Sequence, residues 1–273
     1  MAVCIGNKPG SNLMHEIKVV TKGVMYMIEF FVEFGGFKLP SKEKIIIPET
    51  SQETQKRFQK LKWGNVWDKM RSKKEGDFIW SLWHKVVAVN SWRVRFIDEI
   101  DDKCLMCALD IPETIAHRFW DCKFARRAWD YAIGIINSMK AHPNQKGPWK
   151  AFHWHHGIFG KKIPASFSNY SRIWLLLRGI TLWTIWIERN DLTFNKTRWD
   201  ASRVEQTIWR GLLDYARIAW RKALEDSKTE ATYDDVLAKF HATWGNNNLL
   251  YCKSNSEIMW NNQAPHVGLV DHA

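Results

Sequence analysis

The chain has 273 residues, 45% of them hydrophobic and 14% aromatic, including 17 tryptophans. Such a composition excludes an intrinsically disordered chain and points to a packed core rich in indole, in one large domain or two small ones. A formal charge of +11 favours an anionic partner; nucleic acid is the commonest one for a soluble intracellular protein, although a membrane surface satisfies the same arithmetic.

Five cysteines are present, with Cys4 and Cys252 far from the other three. An odd, scattered count argues against the disulfide framework of a secreted protein and for the reducing nucleus or cytoplasm. Residues 1–10 are short and polar and carry no signal-peptide pattern. The longest apolar stretch, 173–187, is interrupted by Arg178 and followed by Glu188-Arg189. It falls short of the roughly 20 residues of a membrane span, so the expectation is a buried helix and no membrane partner.

In chain order, residues 1–75 form an N-terminal segment of unassigned class. Val24 to Ile28 and Phe30 to Val32, before Gly35-Gly36, and Ile45 to Ile47, before Pro48, read as short strands or as one apolar helix. From Asp77 the spacing of Ile79, Trp80, Leu82, Trp83, Val86 and Val87 predicts an amphipathic helix ending near Asn90. A helix is expected over 124–139 with Trp129, Ile133 and Ile136 on one face, then a Gly- and Pro-rich loop over 141–170. A helix apolar on nearly all sides follows over 173–194. Ser202 and Glu205 have capping-box spacing and open a helix to about Asp226 with Val204, Ile208, Leu212, Tyr215 and Ala219 toward the core. A last helix covers 233–244 and stops at Gly245; residues 246–273 read as a loose tail. The fold class is mainly α, with residues 76–245 as a helical domain around a zinc-stapled loop.

That loop carries the chemistry. Cys104-Leu105-Met106-Cys107 places two thiols three apart, His117 follows after nine residues and Cys122 after four more. A CxxC turn aims two sulfurs at one ion, and a distant His and Cys complete a tetrahedron of Zn2+ ligands with no position open for catalytic water. A redox CxxC would want a βαβ setting that the pattern lacks. Glu113 reads either as a hydrogen-bond partner behind the His117 imidazole or, the preferred reading, as the acidic start of a short helix after Pro112.

Around these residues Trp80-Ser81-Leu82-Trp83, Trp92-Arg93, Glu113-Thr114, Phe119, Ala128-Trp129 and Trp186-Ile187-Glu188-Arg189-Asn190 with Phe194 complete a pattern. It resembles the reverse-transcriptase zinc-binding domain that follows the polymerase in plant LINE-type retrotransposons. The resemblance spans about 77–194 and implies that Cys104, Cys107, His117 and Cys122 are zinc ligands.

The polymerase itself is not expected here. Tyr233-Asp234-Asp235 reads as the acidic start of a helix, and no HExxH, P-loop or dinucleotide fingerprint appears. His153, His155 and His156 flank Trp154 without a nearby carboxylate and read as exposed or stacked loop histidines. The chain is expected to be a non-enzyme.

Between Tyr131 and Ile187 no Asp or Glu occurs. Lys140, Lys146, Lys150, Lys161, Lys162, Arg172 and Arg178 are interleaved there with Trp149, Phe152, Trp154, Phe159 and Tyr170, and Arg118, Lys123, Arg126 and Arg127 flank the last zinc ligand. Lysines neutralise phosphate and flat rings stack on unpaired bases, so the expected partner is RNA or DNA, single strands above all. The nucleic-acid residues named on this basis are Lys146, Lys150, Trp154, Lys161, Lys162, Arg126 and Arg127. Arg203, Arg210 and Arg217 line one face of their helix, but Glu205, Asp214, Glu225 and Asp226 nearly cancel them, which suits a solvated face. The alternative function is a zinc-stabilised protein-interaction scaffold or a retroelement relic.

Overall fold

The computed structural model describes residues 69–107, 109–139, 148–149, 151–160, 163–227, 233–254 and 257–267, with Val66, and by backbone alone 2–7, 14–21 and 24–31. Two compact units emerge, one of residues 1–61 with 94–100, the other of 62–93 with 101–273.

In the first unit, β1 (Ala2–Asn7), β2 (Met14–Thr21) and β3 (Val24–Phe31) form an antiparallel sheet in the order β1-β2-β3. Its register aligns Ile5, Ile17 and Ile28 across the three strands. The β-branched and aromatic run at 24–31 is thus a strand, as one of the two sequence readings had it. The 45–47 run lies outside the described residues.

The second unit is helical: α1 (Lys73–Trp83), α2 (Lys123–Ser138), α3 (Ser171–Asn195), α4 (Ala201–Asp226) and α5 (Tyr233–Trp244). The central element is α3, in contact with α1, α2 and α4. It is buried on most sides, from Ile173 and Trp174 through Leu182 and Ile185, as its nearly continuous apolar sequence requires. Among the described residues no helix is long and apolar enough to cross a membrane. Where α4 crosses α3, a Cβ on Gly211 would stand 2.8 Å from Ile180 Cγ2, so glycine permits the close approach.

Three tryptophans, Trp83, Trp129 and Trp209, are fully buried. Each indole N–H reaches a carbonyl: Ile158 at 2.7 Å, Phe119 at 2.8 Å and Asn261 at 2.7 Å. A buried indole without such an acceptor would carry a desolvation cost, so these bonds fix the backbone around each ring.

Several sequence expectations change in detail. The first helix ends at Trp83, not near Asn90, because the chain turns through a left-handed Lys85 at φ 59°. Val87 is still buried, from a non-helical segment, which explains why its spacing mimicked a helix. The start of α4 is capped by Asp200, whose carboxylate accepts the Arg203 N–H at 2.7 Å, two residues before the expected Ser202–Glu205 box. Replacing Asp200 with Ala should therefore cost about 1 kcal/mol in a denaturant titration, whereas Ser202→Ala should stay within about 0.5 kcal/mol. The reverse order of effects would restore the box.

The segment after Gly245, expected to be loose, carries a hairpin of β4 (Tyr251–Ser254) and β5 (Glu257–Trp260). The next residues are tied to α4 by Trp209 Nε1 to the Asn261 carbonyl at 2.7 Å and Gln206 Nε2 to the Asn262 carbonyl at 2.8 Å. The Asn262 side-chain oxygen also accepts from Arg217 of α4, a role composition does not distinguish from solvation.

Candidate metal centre

The cysteine loop is pinched at its base. Lys103 and Pro112 form an isolated antiparallel bridge, the Cys104 N–H reaches the Ile111 carbonyl at 2.9 Å, and the Glu113 N–H reaches the Asp102 carbonyl at 2.7 Å. Cys104 and Cys107 therefore leave one tight turn side by side. Opposite them, Thr114 caps the next turn, its hydroxyl accepting the His117 N–H at 3.0 Å. His117–Asp121 is a π-helical turn, closed by Cys122 N–H to His117 carbonyl at 2.7 Å. This wide turn is the structural meaning of the four-residue gap between the two ligands: an i to i+5 bond brings position 122 back beside position 117.

The donor atoms of Cys104, Cys107, His117 and Cys122 all lie within 4.8 Å of one another, and all four residues are buried. Cys107 Sγ stands 3.4 Å from His117 Nε2. A tetrahedral zinc, with bonds of about 2.3 Å to sulfur and about 2.0 Å to nitrogen, separates such donors by about 3.5 Å. Ligand type, number and spacing all fit zinc in a closed site, and zinc there would act as a staple between the turn and the helix rather than as a Lewis acid toward substrate. Among the thiols, a hydrogen bond from Cys104 holds Cys122 down to about 5 against the opposing effect of burial, with Arg118 adding to the lowering. The same bond and burial push Cys104 up.

Two buried ion pairs fix this loop to α3, and they are reciprocal. Arg118, next to His117, has its guanidinium 3.1 Å from Glu188 and 2.6 Å from the Ile185 carbonyl, with Nη1 3.8 Å from Cys122 Sγ. Glu113, on the other strand of the loop, receives Arg189 Nη2 at 2.7 Å and the Asn90 N–H at 2.7 Å; Arg189 also donates to Asn90 Oδ1 at 2.6 Å. Glu188 and Arg189 are neighbours on α3. Burial raises the Glu188 pKa despite the opposing Arg118, so ionising this carboxyl weakens the fold as pH rises through that elevated value.

Glu113 is therefore neither the start of a helix nor the partner of the imidazole: both carboxylate oxygens go to Arg189, one of them also to the Asn90 amide. Arg118, expected among the surface cations flanking the zinc, is fully buried. Sequence reasoning also missed Asn90 and Arg198, which donates to the Met106 carbonyl at 2.9 Å and so holds the CxxC turn from the α3–α4 connection. One signal for the pairs was visible: adjacent opposite charges, Glu188-Arg189, at the end of an apolar helix.

Of the expected nucleic-acid residues, Lys146, Lys150, Lys161 and Lys162 lie outside the described residues. Trp154 is 41% exposed, edge-on to Phe159 with ring centroids 5.2 Å apart. Arg126 and Arg127 are half-buried and seated on aromatic rings, Arg126 at 4.4 Å from Trp120 and Arg127 at 5.5 Å from Phe124. The other aromatics of that stretch are not a stacking platform. Trp149, Phe152 and Tyr170 are buried, the first two packing against Trp174 at 5.1 and 5.5 Å. Arg178 is internal too, donating to the Gly157 and Ile158 carbonyls. His156 is buried between Trp149 and Phe152 and accepts the His153 N–H at 3.0 Å, so this histidine is a packing residue. Asp234 and Asp235 stand in the first turn of α5, as expected of a helix start.

Fold and site define a helical unit with a buried Cys3His cluster that could hold a metal ion. The family model for zinc-binding in reverse transcriptase matches residues 49–129 of the chain, a stretch that contains all four donors. No curated protein and no solved structure matches the chain.

Proposed function

We propose that this chain is a zinc-stabilised nucleic-acid-binding protein of plant LINE-type retrotransposon origin that works without a polymerase and catalyses no reaction of its own. The observation that carries the reading is the buried Cys3His cluster inside the stretch that matches the reverse-transcriptase zinc-binding family. The charge of +11 supports an anionic partner, and the absence of any Asp or Glu between Tyr131 and Ile187 supports RNA or DNA in particular. A reducing nuclear or cytoplasmic setting suits three thiols held as metal ligands.

The test is zinc analysis of purified protein together with salt-titrated binding to RNA and DNA single strands and duplexes. Trp154→Ala should cost on the order of 1–3 kcal/mol of single-strand affinity without changing the salt slope, because stacking is not a charge effect. Labelled RNA, DNA and hybrid incubated with magnesium or manganese should remain intact. Binding that ignores salt, or cleavage of any of these substrates, would overturn the reading.

A protein-binding scaffold is the second reading, favoured by Leu105, Leu109 and Ile111, which are 40–52% exposed on the metal loop. Charge substitution at these positions would abolish such a contact and leave nucleic-acid affinity unchanged.

A further inference from the structure

The stretch around Cys122 gathers cations where elementary electrostatics disfavours them. Cys122 is the N-cap of α2, and the first turn of this helix has no acidic residue. Lys123, Arg126 and Arg127 instead stand near its positive end, where the unpaired backbone N–H groups and the helix dipole attract anions and repel cations. Arg198 arrives from the α3–α4 connection, held there by the Met106 carbonyl at 2.9 Å.

These four charges share two aromatic rings. Around Phe124 lie Lys123 Nζ at 5.5 Å, Arg127 Cζ at 5.5 Å and Arg198 Cζ at 5.1 Å, while Arg126 Cζ sits 4.4 Å from Trp120. Contact with a ring offsets part of their repulsion but supplies no hydrogen-bond acceptor. None of the four forms an ion pair among the described residues. Glu188 feels the charge of Arg127, yet its paired oxygen is already held by Arg118. Arg127 Nε and Nη2 are buried and have no hydrogen-bond partner among the described residues. The result is a set of four cations, three of them planar guanidinium forks, without a carboxylate partner among the described residues.

We propose that Lys123, Arg126, Arg127 and Arg198, gathered on Phe124 and Trp120 beside the metal centre, form a phosphate-contacting face for nucleic acid. This rests on the nucleic-acid reading above and gives it a location that the sequence placed mainly in the 141–170 stretch. A guanidinium fork matches the paired oxygens of phosphate, and the α2 N–H groups add to the same attraction. The contacts are to the backbone of the nucleic acid, so the face is expected to be indifferent to base sequence.

The experiment compares the full chain with its Lys123→Gln/Arg126→Gln variant, using fluorescence anisotropy of a labelled mixed-sequence single strand over a salt series. Circular dichroism and zinc content verify the fold, and the charge-preserving Arg126→Lys variant serves as a second reading of the same position. With two contacts removed, the slope of log affinity against log salt should flatten by about 1.4, or about 0.7 per phosphate; Arg126→Lys should keep the parental slope. If the double variant keeps the parental slope while Lys161→Gln/Lys162→Gln flattens it, this face is wrong and the nucleic-acid reading stands. If the parent binds no nucleic acid at all, the reading fails and the face with it. Competition by polyglutamate at equal charge as effective as that by the oligonucleotide would assign the face to an acidic protein surface and overturn the proposal.

Discussion

Chelating the metal from the purified protein should unfold the region from Asp101 through α2, and Cys107→Ser should produce the same loss without chelator. Structural zinc in small sites contributes about 10–16 kcal/mol of apparent binding free energy at neutral pH, against a net stability of about 5–15 kcal/mol for a typical domain. Besides the ion, the tip of the loop is held closed mainly by the Arg198 hydrogen bond to the Met106 carbonyl and the buried Met106 side chain. Leu105, Leu109 and Ile111 face solvent and contribute little burial, while the backbone bridge at Lys103–Pro112 is a single isolated pair. The ligands come from both sides of the loop, so losing the ion frees the CxxC turn from the π turn and exposes the start of α2. Hydrogen exchange should show the amides of Cys104, Glu113 and Cys122 losing protection ahead of those in α4. A protein purified without zinc, whose melting curve ignores both chelator and Cys107→Ser, would remove the metal centre from the account.

The second large effect is expected at Arg189. Replacing it with Leu removes the partner of Glu113 and leaves a buried carboxylate, 1% exposed, with the Asn90 amide as its remaining donor. Breaking a buried pair from one side costs about 3–5 kcal/mol, a fall in melting temperature on the order of 10 °C for a unit of this size. Glu113→Leu alone should cost a similar amount. The double replacement should cost clearly less than the two losses added, because neither uncompensated charge then remains. Strict additivity in that cycle would mean that the two side chains act independently.

The clustering of Cys104, Cys107, His117 and Cys122 was legible because metal ligation is written in local spacing: CxxC and H-x4-C each correspond to one turn of backbone. Helices α2, α4 and α5 were legible for a similar reason, since their apolar positions repeat with the helical period, and α3 because its nearly continuous apolar run matches burial against α1, α2 and α4. What escaped were relations between distant positions. Glu113 meets a partner 76 residues away, and nothing around Pro112-Glu113-Thr114 distinguishes an inward carboxylate from the first turn of a helix. Arg118 reads as a surface cation until α3 supplies Glu188. The Trp149, Phe152 and Tyr170 side chains sit among lysines in sequence yet fill the core, because charged neighbours do not reveal which way a ring points. Asp200 displaced the expected capping box because two cap candidates two residues apart differ only in which backbone N–H they reach.

The pairing of Glu188 and Arg189 with opposite walls of the metal loop also sets how far the unit can be shortened. The family match ends at residue 129, but the charge partners of Glu113 and Arg118 lie about sixty positions beyond that boundary, at 189 and 188. A fragment cut at that boundary would keep every metal ligand and still present an acid and a base shaped for burial with nothing to bury them against. Metal affinity would then carry an extra load, the solvation of both groups on a surface built to be interior. The physical module thus reaches at least to Arg189, so that α3, which contributes none of the four donors, is as much a part of the candidate metal centre as the cysteines are.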